Sequence, residues 1–272
     1  MINRLLNIVC RLIFAMAFIV AGCKQEYKGD VLAYGPDVNA IVVTDDYKPR
    51  AIGATGGYQA WMEAIKLDFD CVVTFYNPDG SGTPNAINRV WEPSFYLTEH
   101  HYEIYPWSNS IRISAIEPQG KFVWLLSQGR FTVLGGAERF CALPPLVERR
   151  CFAEAILDMT TAPVRFLDKS VEFNKLSGPV KLEGLWYYPI EKAGTDEIEK
   201  PLYKVVFYLN DDTSLVDMIW FVSVDGQKSL AVRGYDYRKV EKTQVLVPNK
   251  VEIFRIGGKG VLQERLVKID FK

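Results

Sequence analysis

The chain has 272 residues, of which 49% are hydrophobic and 24% charged, with a formal net charge of −1. So mild a balance excludes the clustered basic excess that nucleic-acid binding needs. The length supplies ample core for one large β-rich domain or two small ones.

The chain opens MINRLLNIVCRLIFAMAFIVAGC. Arg4 and Arg11 give a positive start, and residues 12–20 are uncharged and apolar. Roughly 20 apolar residues are needed to cross a bilayer, so a core this short suits a signal peptide. It closes on Val20-Ala21-Gly22-Cys23, which resembles the lipobox of bacterial lipoproteins. That resemblance implies cleavage after residue 22 and a diacylglyceryl group on the Cys23 sulfur, with a further acyl (palmitate-type) chain on its amino group. One acyl chain holds a protein marginally, and two or more hold it firmly. Lys24 stands where an aspartate would favour the inner membrane, so the expected address is the bacterial outer membrane, facing the periplasm.

From Lys24 to Gly57 the chain is rich in Gly, Pro, Asp and Lys, with one apolar island at Ala40-Ile41-Val42-Val43. It reads as a lipidated tether that docks one short strand. Tyr58, Trp61, Met62 and Ile65 then recur at helical spacing. In LDFDCVVTFY the period falls to two, with Leu67, Phe69, Cys71, Val73 and Phe75 on one side, so a strand begins. Asn77-Pro78-Asp79-Gly80 is a turn, and IRISAI, KFVWLLS and RFTVL follow as strands. LVERRCFAEAILDM returns to helical spacing, with Phe152, Ala155, Ile156 and Met159 on one side and Arg149, Arg150, Glu154 and Asp158 away from it. Pro163 marks the expected helix end.

The rest is almost all strand: VKLEGLWYYPI, then a charged loop over residues 191–200, then PLYKVVFYLN, LVDMIWFVSV, SLAVRGYDY, KVEIFRI and VLQERLVKIDF. Short turns between them give an antiparallel meander. The expected fold is mainly β, about ten strands in an incomplete antiparallel β-barrel covered on its concave face by helices. Alternation assigns shared faces to Phe122, Trp124 and Leu126, to Tyr203, Val205, Phe207 and Leu209, to Leu182, Trp186 and Tyr188, and to Met218, Trp220, Val222 and Val224. The domain boundaries read 1–22 signal, 23–57 tether and 58–272 half-barrel.

Catalytic motifs are missing: no Gly-x-Ser-x-Gly elbow, no phosphate-cradling glycine loop and no His-Glu-x-x-His. His100 and His101, flanked by Glu99 and Glu103, suggest a metal, but neighbours on a strand point to opposite faces and no further ligand cluster completes the set. NPDGSG fails as a calcium loop, because Phe75 and Ala86 fall at positions that need oxygen donors. Beyond the signal lie Cys71, Cys141 and Cys151. A Cys141–Cys151 bridge closes the shortest loop, and three small buried side chains are the alternative.

The order of signal, helix feeding a strand, strands including KFVWLLS, helical insertion and final meander resembles the Lol-type lipoprotein carrier and receptor superfamily. The closest stretch is LYKVVFYLNDDTSLVDMIWFVSVDGQKSLAVRGYDY with VPNKVEIF and VLQERLVKIDF, within residues 58–272. The resemblance implies a hollow, lidded by helices, that holds acyl chains, with no cofactor and no catalysis. None of Arg89, Arg112 and Arg130 matches the family's lid-latching arginine. The expected ligand-lining residues are Phe122, Trp124, Leu126, Trp186, Tyr188, Phe207, Met218 and Trp220. The alternative is a protein-interaction, stress-sensor or scaffold module of the same fold, its interior packed solid. An apolar cavity of about 300 Å³ beneath the Phe152 helix would favour the ligand reading.

Overall fold

The computed structural model describes residues 47–76, 95–117, 120–136, 143–144, 146–169, 171–176, 179–195, 203–223, 229–257 and 261–272. All lie in the compact unit Ala40–Lys272. The signal, Cys23, the NPDGSG turn, Arg89, Cys141, residues 196–200 and Val224 fall outside the described residues.

Among the described residues two short helices come first, α1 (Tyr47–Ala54) and α2 (Gly57–Glu63). The sequence reading did not anticipate α1, whose stretch YKPRAIGA lies within the expected tether. Its Pro49 sits in the first helical turn, where a missing N–H costs nothing. Ala51 and Ile52 are buried, so this stretch packs onto the domain. Gly56 joins the helices at φ 110°, and a Cβ there would meet the Gln244 carbonyl at 2.8 Å. Only glycine fits that corner. Trp61 of α2 is buried, whereas Met62 is exposed and Ile65 lies exposed beyond the helix end, so the expected apolar stripe is half wrong.

Strands β1 (Leu67–Tyr76), β2 (Phe95–Tyr105), β3 (Ser110–Glu117), β4 (Gly120–Ser127) and β5 (Arg130–Gly135) follow as hairpins. The long helix α3 (Arg149–Arg165) separates them from β6 (Val171–Lys175), β7 (Val180–Leu182), β8 (Leu185–Thr195), β9 (Tyr203–Asn210), β10 (Val216–Ser223), β11 (Ser229–Tyr235), β14 (Lys250–Ile256) and β15 (Leu262–Phe271). A separate ribbon, β12 (Arg238–Lys239) and β13 (Leu246–Val247), stands between β11 and β14.

Among the described residues thirteen strands form one sheet, in the order β5-β4-β3-β2-β1-β15-β14-β11-β10-β9-β8-β6, with β7 on β8. Every pairing is antiparallel, including the first strand against the last, where Val73 faces Ile269. The sheet does not close, because β5 and β6 end it. Helix α3 touches β3 and β4 on one side and β10 and β11 on the other. In a flat sheet β4 and β10 would stand about 34 Å apart, at about 4.8 Å per strand. A helix is only about 10–12 Å across. The sheet therefore curls around α3. This is the incomplete barrel with a helix on its concave face, larger than the ten strands expected.

Candidate functional site

Helix α3 is gripped at both ends by rings. Near its start Phe152 lies 5.9 Å from Phe75, 6.5 Å from Trp124 and 6.4 Å from His100. Just past its end Phe166 meets Tyr47 at 5.1 Å, Phe173 at 5.1 Å and Phe207 at 5.5 Å. Such edge-on pairs add stabilisation beyond burial alone. Pro163 does not end the helix. It sits in the last turn, and α3 runs on to Arg165.

The side of α3 away from its apolar stripe is largely buried as well. Arg150, Asp158 and Arg165 are enclosed, and Glu154 is nearly so. Within this stripe Arg150 Nε donates to Glu154 Oε1 at 2.7 Å, and Arg165 reaches Asp168 at 2.8 Å and Asp158 at 3.8 Å. Burial pushes the Glu154 carboxyl up to about 7, against the pull of Arg150. Thr160 and Thr161 satisfy their hydroxyls on the Ile156 and Leu157 carbonyls. Charges spaced four apart read as a water-facing stripe in any sequence, and nothing in the pattern signals enclosure.

The eight expected lining residues divide. Phe122, Trp124, Leu126 and Phe207 are buried on the concave face, in one cluster with Phe152 and Ile156 of α3. Tyr188 packs against that cluster from its edge. Met218 and Trp220 lie on the other face of the sheet, with Tyr187, Val206 and Tyr208, under Leu176, Val180 and Leu182. The residues of β10 that face α3 are Ile219 and Phe221, so the expected alternation is inverted there. Trp186 is 49% exposed, its ring beside the Lys181 ammonium. It begins a hairpin, because Glu183 and Gly184 both take positive φ and split VKLEGLWYYPI into two strands. The expected shared face of Leu182, Trp186 and Tyr188 is thereby broken. Tyr203, Val205, Phe207 and Leu209 do share the concave core.

The two histidines part as strand alternation demands. His100 is buried among Phe75, Phe122 and Phe152, its Nδ1 3.2 Å from the Tyr102 hydroxyl, and burial pulls its imidazole down to about 3. His101 is on the outer face, 2.8 Å from Asp70. Asp68, His101 and Glu103 come close enough there to suggest a cation. The Lys66 ammonium already lies 2.9 Å from Asp68 and 2.7 Å from Glu103, and Arg112 holds the second Glu103 oxygen. The same face carries an open groove of about 490 Å³ bordered by Asp70, Glu99, Ser114 and Lys272. Its lining mixes these charged and polar groups with Ala115 and Ile116. Cys71 and Cys151 are buried free thiols, Cys71 pushed up to about 12 by that burial.

No protein-family model matches the sequence, and no curated protein matches it. Among solved structures the chain is similar to a LolA superfamily protein from Nitrosomonas europaea, at 13% identity and a TM-score of 0.46, over 79% of this chain and 92% of that one. It is also similar to a DUF1329 family protein from Desulfovibrio piger, at 10% identity and a TM-score of 0.41, over 76% and 84% of the two chains. Among the described residues no helix is long and apolar enough to cross a membrane.

Proposed function

We propose that this chain is a non-enzymatic binding protein of the bacterial envelope, lipidated at Cys23, that takes a lipid or acylated ligand between its curved sheet and α3. The anchor holds it at the outer membrane, facing the periplasm. The observation that carries the reading is the pairing of an aromatic concave face with a single helix whose far side is charged. Seated, α3 keeps Arg150, Glu154, Asp158 and Arg165 out of water. Lifted, it returns them to solvent and bares Phe122, Trp124, Leu126 and Phe207. Each buried methylene contributes about 0.8 kcal/mol, so a palmitate-length chain gains on the order of 10 kcal/mol against the cost of moving the helix. The ligand displaces α3 instead of entering a standing hollow, because Phe152, Ile156 and Phe207 are fully buried.

A second reading has its own support. Among the described residues strand β5 ends the sheet, and its Val133 and Leu134 are 36% and 55% exposed. An unpaired apolar edge is a surface for adding a partner's strand, which suits an interaction or stress-sensing module with a packed interior. Native mass spectrometry of the full-length protein extracted from membranes separates the two. Non-covalent lipid adducts are expected on the first reading. A lipid-free mass, with a protein cross-linked through position 134, would replace it with the second.

A further inference from the structure

Trp107 sits in the turn between β2 and β3, 42% exposed, and the segment it bonds to carries two more exposed apolar side chains, Met62 at 45% and Ile65 at 75%. Its indole N–H donates to the Trp61 carbonyl at 2.8 Å, which ties the turn to α2. The Tyr58 ring lies edge-on to it at 6.5 Å. Beneath them Trp61 is fully buried and hydrogen-bonded through Nε1 to Thr55 at 2.9 Å, so the patch rests on a fixed base.

A single exposed apolar residue needs no explanation. Trp107 differs, because its one polar atom is spent inside the protein and only ring surface meets water. Exposed tryptophan flanked by tyrosine and aliphatic side chains suits the boundary between lipid headgroups and acyl chains. The patch also follows the proposed tether directly in sequence. Residues 24–46 lie between Cys23 and Tyr47, and so many residues reach at most about 80 Å. From Tyr47, α1 and α2 add about 22 Å of helix before Met62 is reached. An anchored chain thus keeps the domain within about 100 Å of the bilayer, and a weak contact suffices once it is intramolecular.

We propose that Met62, Ile65 and Trp107 dock the domain onto the bilayer that holds its own anchor; this rests on the membrane-anchored reading above. The contact is apolar, since the neighbouring Lys66 ammonium is already shared between Asp68 and Glu103. The test reconstitutes the full-length protein into phosphatidylethanolamine–phosphatidylglycerol vesicles carrying dibrominated acyl chains, which quench tryptophan at short range. Quenching is expected, is expected to persist in 1 M salt, and should vanish in Trp107→Phe. The Met62→Asp/Ile65→Asp variant should lower it at least fivefold with an unchanged melting temperature. Equal quenching in the parent and Trp107→Phe would overturn the proposal. So would a concentration-dependent dimer abolished by the double variant, which assigns the patch to a second copy. Cys23→Ser remaining fully on membranes would sink the anchor reading alone, because the Trp107 contrast is read independently.

Discussion

Ile219 and Trp220 are neighbours in β10 that serve different cores. Ile219, opposite Phe207, is enclosed on the concave face under α3. Trp220, opposite Val206, packs on the outer face, its indole N–H 3.1 Å from the Met218 sulfur and its ring 4.9 Å from Tyr208. An aspartate at 219 buries an unpaired charge, and the expected loss is about 4 kcal/mol or more. At 220 the side chain is only partly buried, and the expected loss is about 1–3 kcal/mol. Urea denaturation of Ile219→Asp and Trp220→Asp measures both, and equal losses would contradict the assignment of faces.

That inversion shows where sequence reading reaches its end. β1 was legible because its polar positions, Asp68 and Asp70, alternate cleanly with buried ones. β10 is apolar on both faces, since each face has a core to fill, and a bulge between Val216 and Met218 shifts the register. With no polar alternation to fix the phase, Met218 and Trp220 were assigned to the face that Ile219 and Phe221 occupy. α3 was legible as a helix, and the apolar stripe through Phe152, Ile156 and Met159 was right. Enclosure of its charged side depends on the sheet curling round it, a long-range event with no local signature. α1 was hidden by Pro49 and Gly53, which a helix tolerates only near an end or against a neighbour.

Glu154 makes stability depend on pH. Its folded value, about 7, lies above the ordinary 4.5, so the folded chain holds the proton more tightly. The stabilisation is complete below 4.5 and is lost as pH rises through 7, by about 3 kcal/mol in all. Measured against Glu154→Gln, which keeps every other titrating group, the parent should lose that advantage over the window. Denaturation of both at pH 5 and pH 8 checks it, and a parent-minus-variant difference that stays constant between the two would refute the assignment.

His100 acts with the opposite sign. Its folded value, about 3, lies below the ordinary 6.5, so its contribution is complete above pH 6.5 and is lost on acidification. By pH 4.5 the loss amounts to about 3 kcal/mol. Between 4.5 and 6.5 the two slopes oppose, and the parent protein changes little. His100→Phe keeps a ring in the cage of Phe75, Phe122 and Phe152 and removes the acid-side loss. Its stability relative to the parent should therefore improve steadily from pH 6.5 to 4.5, and a constant difference would be the contrary result.

Cys23 is the proposed attachment point, its sulfur taking the diacylglyceryl group and its amino group, once freed, the further acyl chain. In Cys23→Ser the acyl chains are absent, so the protein is expected in the soluble fraction after osmotic shock, while the parent stays with membranes. Labelling with an alkyne-tagged palmitate should mark the parent and spare the variant. A variant that sediments and labels like the parent would refute lipidation at this position.

Phe152 connects α3 to the function proposed for the concave face. It is fully buried between Phe75, His100 and Trp124, and Phe152→Ala should cost about 3–5 kcal/mol, the transfer loss plus the cavity. If a ligand enters by lifting α3, weakening the helix's hold lowers the energy of the open state and raises apparent affinity. Binding of the fluorescent fatty acid cis-parinaric acid should then tighten at least severalfold in Phe152→Ala at a temperature where the variant stays folded. A packed interaction module predicts the stability loss without the gain in binding. Loss of stability with unchanged or absent fatty-acid binding would remove α3 as a cover and leave the exposed β5 edge as the working surface.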